Sequence, residues 1–209
     1  MLPVSRHRKT ADYKLSQTHM NAPTIRPSQE ADLQAITAVY AANVEHGTGT
    51  FEIDAPDLAE MTRRRADVLG KGLPWLVVEH DLGQGREVLG YAYANHFRAR
   101  PAWRYALEDS IYLSPRAQRL GLGRLLLAEL IAQCTALGAR QLLAVIGDSD
   151  NLGSIGVHRA CGFETLGVMR AVGWKFDRWL DVVMMQRMLG TGDQTSPTTT
   201  WPGASTCPP

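Results

Sequence analysis

The chain has 209 residues, enough for one domain with a substantial core, and its 44% hydrophobic and 21% charged content is ordinary for a water-soluble globular protein. A formal net charge of +1 gives no electrostatic footprint for nucleic acid or an acidic membrane, and no stretch approaches the roughly 20 apolar residues of a membrane span. Three cysteines, Cys134, Cys161 and Cys207, have neither metal-ligand spacing nor an even disulfide count, which fits a reducing cytoplasm.

Residues 1–22 are polar and basic, with Arg6, His7, Arg8 and Lys9 together and no apolar run of the kind a secretion signal carries. They are expected to form a disordered extension, with Met20 as an alternative start. A Thr/Ser/Pro-rich tail over 191–209 is expected to be disordered as well, leaving a folded domain over 23–190. That domain opens with a first or edge strand at Thr24-Ile25-Arg26, and then Leu33, Ile36, Val39 and Tyr40 fall on one helix face. The flexible turn Gly47-Thr48-Gly49-Thr50-Phe51 carries one aromatic. Asp57 to Val68 reads as a second helix, capped by Asp54 or Asp57, with Arg63, Arg64 and Arg65 on a solvated face. Trp75 to Glu79 and Val88 to Ala94 read as an antiparallel strand pair across a glycine-containing turn. The linker Phe97 to Tyr105 then concentrates Arg98, Arg100, Trp103 and Arg104; guanidinium groups pair with carboxylates in bidentate fashion, so this is a candidate clamp for a small anion.

Next comes a strand from Leu107 to Leu113, whose period of two puts Glu108, Ser110 and Tyr112 on one face. After a Ser114-Pro115 break, the loop Gln118-Arg119-Leu120-Gly121-Leu122-Gly123-Arg124 leads into an amphipathic helix carrying Leu126, Leu127, Leu130, Ile131, Cys134 and Leu137. Strand, glycine-containing loop and helix N-terminus together make an anion site, because the first helical N–H groups lack partners and glycine lets an anion approach the backbone. Neither Gly-x-x-x-x-Gly-Lys-Ser/Thr nor a complete dinucleotide fingerprint is present, since Leu126 stands where the third glycine would be. Downstream, an apolar run Leu142 to Ile146 precedes Gly147-Asp148-Ser149-Asp150 and a short helix from Asn151 to about Cys161, closed by Gly162. Asn151, Ser154 and His158 project from one face of it. Val182 to Met185 reads as a buried terminal strand, and no internal repeat is found.

Gln118-x-x-Gly121-x-Gly123 resembles the acyl-coenzyme A pyrophosphate loop of the GNAT superfamily of N-acetyltransferases, and Asn151 through Gly162-Phe163 resembles its second coenzyme A segment. Arg170, Gly173, Lys175, Trp179 and Asp181 resemble the closing signature of its phosphinothricin and methionine sulfoximine N-acetyltransferase branch, and the resemblance runs from about Thr24 to Leu189. It implies an α/β GNAT fold: a mixed, mostly antiparallel sheet flanked by helices, with strands splayed at the acetyl-coenzyme A site. Acetyl-coenzyme A is then the cosubstrate, with no metal, and a small amino-acid-like amine is the acceptor. Glu108 becomes the general base, working through a water, and a backbone N–H near Ile111 to Leu113 stabilises the oxyanion. His158 stands where many relatives hold a tyrosine that protonates the leaving thiolate, with Tyr112 the weaker candidate.

Backbone groups of Ile111, Tyr112 and Leu113 would pair with the pantetheine arm, and those of Gln118, Arg119, Leu120, Gly121, Leu122 and Gly123, with Arg124, would hold the pyrophosphate. Asn151 and Ser154 would touch the same cofactor. The resemblance also implies that Arg98, Arg100 or Arg104 meets the acceptor's carboxylate, with Phe51 and Trp103 walling its pocket, and that the protein is a homodimer. The chain holds Arg98 like one group of relatives and Arg100 like another, so the choice among phosphinothricin, methionine sulfoximine and methionine sulfone stays open. So do a protein or peptide N-acetyltransferase and a non-catalytic acyl-coenzyme A-binding module. Neither nucleic acid nor membrane is an expected partner.

Overall fold

Residues 22–197 are described by the computed structural model, and over them the apolar spacing resolves into seven strands and four helices. In chain order these are β1 (Thr24–Pro27), α1 (Leu33–His46), α2 (Leu58–Gly70), β2 (Trp75–Asp81), β3 (Arg86–His96), β4 (Ala106–Leu113), α3 (Leu122–Ala136), β5 (Gln141–Gly147), α4 (Leu152–Ala160), β6 (Glu164–Lys175) and β7 (Arg178–Met188). The helix stripes bury as their periodicity requires: Leu33, Ile36, Val39, Tyr40 and Val44 on α1, and Leu122, Leu126, Leu127, Leu130, Ile131 and Cys134 on α3. Asp57, one of the two expected caps, accepts the Glu60 amide at 2.8 Å and starts α2.

The strands form one sheet in the order β1-β2-β3-β4-β5-β7-β6. Every neighbouring pair is antiparallel except β4 and β5, which run parallel and are joined by α3 as the crossover. Alternation along β4 places the helices on opposite faces. Tyr112 packs edge-on against Tyr40 of α1 with ring centroids 4.8 Å apart, whereas Asp109, an odd-numbered neighbour, reaches His158 of α4. The core continues under α1 and α2, where Trp75 stacks on Tyr93 at 4.3 Å and on Tyr91 at 5.6 Å.

Three features depart from the sequence reading or add to it. Only Arg63 of the arginine run is a solvated side chain. Arg64 is tied to Glu52 and Glu60 at 2.6 and 2.7 Å, and Arg65 donates to the Ser28 hydroxyl at 2.7 Å, because α2 turns them toward the preceding loop and β1. Second, 164–175, to which the sequence reading assigns no element, is a long edge strand with nearly all its side chains exposed. Third, packed chain extends past 190: Arg140 donates to the Gly192 carbonyl at 3.2 Å and to the Thr195 hydroxyl at 3.0 Å. Of the expected disordered segments, 1–22 and 191–209, residues 1–21 and 198–209 lie outside the described residues.

Leu130 is fully buried in α3 between sheet and helix. Leu130→Ala is expected to cost about 2–5 kcal/mol in denaturant unfolding, with little change in the denaturant slope.

Candidate active site

The cleft originates in a fault of the sheet. Pairing of β4 with β5 runs from Ala106–Gln141 to Asp109–Ala144 and stops there, so beyond Asp109 the two parallel strands part. Ser114 N–H faces β3, donating to the Leu89 carbonyl at 2.8 Å. Because backbone direction alternates along a strand, the N–H groups of Ile111 and Leu113 point the other way, toward the edge β5 has left. The Leu113 carbonyl on that edge is held at 3.0 Å by the amide of Asn43 on α1, a residue to which the sequence assigned no role. The gap is a cleft of about 410 Å³ lined on the β4 side by Glu108 to Leu113 and on the far side by Ala144, Val145 and Ile146.

At one end stands the loop before α3. Arg119 and Gly121 both take positive φ, 63° and 74°, and Gly121 caps the helix with no side chain over its N-terminus. Such a turn directs successive N–H groups to one side, a concavity suited to an anion. Gln118 and Gly123 line the cleft, while Arg119, Leu120 and Arg124 are exposed at its rim. Asn151 and Ser154 line the opposite wall, where Asn151 Oδ1 caps α4 by accepting the Ser154 amide at 3.2 Å. The loop Gly47-Thr48-Gly49 closes a third side.

Glu108 lies half-buried on the cleft wall, and burial, reinforced by the charge of Asp109 and opposed by that of Arg98, raises its pKa above the ordinary 4.5. A carboxylate shifted upward in a cleft is suited to accept a proton near neutrality. His158 is 2% exposed, with Nδ1 2.7 Å from the Ser154 carbonyl and Nε2 2.9 Å from Asp109 Oδ2. A carbonyl oxygen can only accept, so Nδ1 carries hydrogen and donates to Ser154, leaving Nε2 facing the Asp109 carboxyl group. Burial is the largest influence on this histidine and opposes its charge, yet the hydrogen bond and charge of Asp109, with the Ser154 carbonyl, outweigh it and raise the pKa. The sequence signal for Asp109 is an acid among the inward apolar positions Leu107, Ile111 and Leu113 of β4.

The substrate residues expected in the linker sit apart from this cleft. Arg98 stacks over Phe97 at 4.6 Å and is felt electrostatically by Glu108; Arg104 stacks over Tyr105 at 4.8 Å and donates to the Pro101 carbonyl; Arg100 and Trp103 are exposed, Trp103 edge-on to Phe97. The Phe51 ring packs against the backbone at Gly147 and Gly173 instead of lining the cleft.

Residues 38–163 match the acetyltransferase (GNAT) family. Over 176 residues the chain is 52% identical to a phosphinothricin N-acetyltransferase of Alcaligenes faecalis, covering 84% of this chain and 87% of that one. It is 38% identical over 163 residues to an L-methionine sulfoximine/L-methionine sulfone acetyltransferase of Pseudomonas aeruginosa, covering 78% and 92% of the two chains. A solved structure of a GNAT superfamily phosphinothricin acetyltransferase from Sinorhizobium meliloti, in complex with acetyl-coenzyme A, is similar with a TM-score of 0.81 and 47% identity, covering 85% of this chain and 94% of that one.

Asp109→Asn is expected to lower the His158 pKa, read by NMR titration of its ring, since the group that outweighs burial is removed. A raised folded pKa contributes stability that is full below the ordinary 6.5 and is lost as pH rises through the folded value. The stability difference between wild type and Asp109→Asn is therefore largest on the acid side and shrinks as His158 deprotonates.

Proposed function

The chain belongs to the acetyltransferase (GNAT) family and uses acetyl-coenzyme A as its cosubstrate; from that premise we propose that it acetylates the amino group of a small amino-acid-like acceptor of the phosphinothricin or methionine sulfoximine type. The observation that carries this reading is Glu108 on the wall of the splayed cleft, one residue from the point where β4 and β5 part, in a chain 52% identical to a phosphinothricin N-acetyltransferase.

The chain's donors fit the cosubstrate. The N–H groups of Ile111 and Leu113 have lost β5 as a partner and are free to take an extended polar chain as if it were an added strand. The positive-φ loop at Arg119 and Gly121 offers backbone N–H groups and the α3 N-terminus to a pyrophosphate, with Arg124 beside it. The cosubstrate supplies an activated acyl thioester. Glu108, ionised, takes a proton from the acceptor's ammonium through a water, and a β4 N–H at 111 or 113 offsets the negative charge that develops on the thioester oxygen. His158 acts as a positioning residue in this proposal. With both nitrogens committed, it ties α4 to β4 at the branch point, and Tyr112, which lines the cleft, is the alternative proton donor to the thiolate.

Arg98, through its charge on Glu108, supports placing the acceptor's carboxylate at the mouth near the linker, with Arg100, Arg104 and Trp103 around it. A second copy of the chain is part of the proposal. The β6–β7 hairpin exposes Leu166, Val168, Val172, Trp174, Phe176 and Trp179 along a sheet edge, an apolar strip of the kind that marks a protein contact. A cytoplasmic location is supported by the buried free thiols Cys134 and Cys161.

Thiol release from acetyl-coenzyme A should be seen with phosphinothricin, methionine sulfoximine or methionine sulfone, and Glu108→Gln should lower kcat about 10²- to 10⁴-fold with cofactor affinity retained. Cofactor binding without turnover on any of these acids would instead favour a binding module or a protein acceptor. Sedimentation should show a dimer that Trp174→Glu converts to monomer, and a wild-type monomer would remove the second copy from the scheme.

A further inference from the structure

The tip of the β6–β7 hairpin does more than close the sheet. Lys175 ends β6 and is only 4% exposed, yet its Nζ is spent on two backbone carbonyls, those of Gly47 at 2.9 Å and Thr50 at 3.0 Å. Burial lowers its pKa, and Glu52, acting from beyond ion-pair distance, pulls it back only in part. An ammonium taken out of water is costly, and its hydrogen bonds to the two carbonyls offset part of that cost while tying both carbonyls to the hairpin tip. Its register partner Arg178 pairs with Asp148, which also accepts a hydrogen bond from Thr48. Both cations at the hairpin tip therefore reach the same loop, one directly and one through Asp148.

Packing adds a third hold. A Cβ at Gly173 would lie 2.3 Å from the Phe51 ring, and one at Gly147 would lie 2.3 Å from the Thr48 carbonyl, so two bare backbones accept the loop where no side chain fits. The turn that delivers these groups has positive φ at both Phe176 and Asp177, 52° and 54°, the pattern of a tight two-residue hairpin, and Phe176 lies 5.0 Å from the Lys175 ammonium. The loop so held is the one whose Gly47, Thr48 and Gly49 form the third side of the cleft.

We propose that Lys175, with Arg178 and the Phe51–Gly173 contact, is a positioning device that fixes the 47–51 loop and thereby sets how the acceptor amine is presented to Glu108. Lys175 touches neither acceptor nor cofactor; it acts through the loop. The amides proposed for the cofactor's pyrophosphate, at Gln118 to Arg124, belong to a different loop, so loosening 47–51 is expected to act on acceptor binding more than on cofactor affinity. This inference rests on the acetyltransferase reading for its kinetic consequence but not for its structural one.

Lys175→Met removes the charge at similar length, and Gly173→Ala displaces Phe51 without touching any charge. In the full-length protein both are expected to raise amide hydrogen exchange over 47–51, to lower kcat/KM for the acceptor about 10- to 100-fold, mainly through KM, and to change acetyl-coenzyme A affinity by less than about twofold. Two chemically unrelated changes converging on one phenotype is the supporting result. Folded variants with unchanged exchange over 47–51 would overturn the proposal whether or not an acceptor is known, and raised exchange with unchanged acceptor KM would overturn its functional half. Should Lys175→Met fail to fold, Gly173→Ala and Arg178→Ala carry the same readouts.

Discussion

Everything functional in this fold depends on one interruption of backbone hydrogen bonding, the parting of β4 and β5 after Asp109 and Ala144. A continuous sheet satisfies its N–H groups internally and has no use for a ligand in its middle. Once β5 leaves, the Ile111 and Leu113 N–H groups are donors without a strand, in a cleft walled by two helix faces and a loop. The parallel pairing matters here as well. Parallel strands require a crossover, the crossover is α3, and the N-terminus of α3 is therefore delivered to the same end of the sheet at which the strands separate.

Holding a sheet open in its middle takes anchors, and the buried ionic groups supply them. Asp109 and His158 join β4 to α4 at the branch point, with side chains 1% and 2% exposed. Breaking such a pair on one side leaves an uncompensated buried charge, which is why its removal costs more than its formation contributes. Lys175 does the corresponding job for the 47–51 loop, and Asn43 holds the Leu113 carbonyl. The residues that resemble a closing family signature acquire a physical meaning from this. Gly173 makes room for Phe51, Lys175 holds the loop, and Arg170 pairs with Asp181, which also accepts the Ser149 hydroxyl and the Ala171 amide.

Legibility in the sequence followed locality. The strand from 107, the glycine loop and the helix from 122 were readable because alternation, positive-φ glycine and helical periodicity are each decided within a few residues. Family membership came from the same short range, through Gln118 to Gly123 and Asn151 to Phe163, and residues 38–163 match that family. What could not be read were contacts made by the fold across long separations. The Asp109–His158 bond spans 49 positions and the Lys175–Gly47 bond 128. The expected solvated arginine face was wrong for Arg64 and Arg65 for the same reason, their partners Glu52 and Ser28 lying on other elements. β6 carries apolar Leu166, Val168, Val172 and Trp174 at alternate positions, a period of two interrupted by Arg170 and by the glycines at 167 and 173.

The central claim is that the open edge of β4 receives the cosubstrate. Residue-resolved amide exchange with and without acetyl-coenzyme A tests it most directly. Protection should appear at the Ile111 and Leu113 amides together with those of Arg119 to Arg124, while Tyr112, whose amide already faces β3, changes little. Saturating cofactor that leaves Ile111 and Leu113 unprotected would contradict the claim and place the thioester elsewhere.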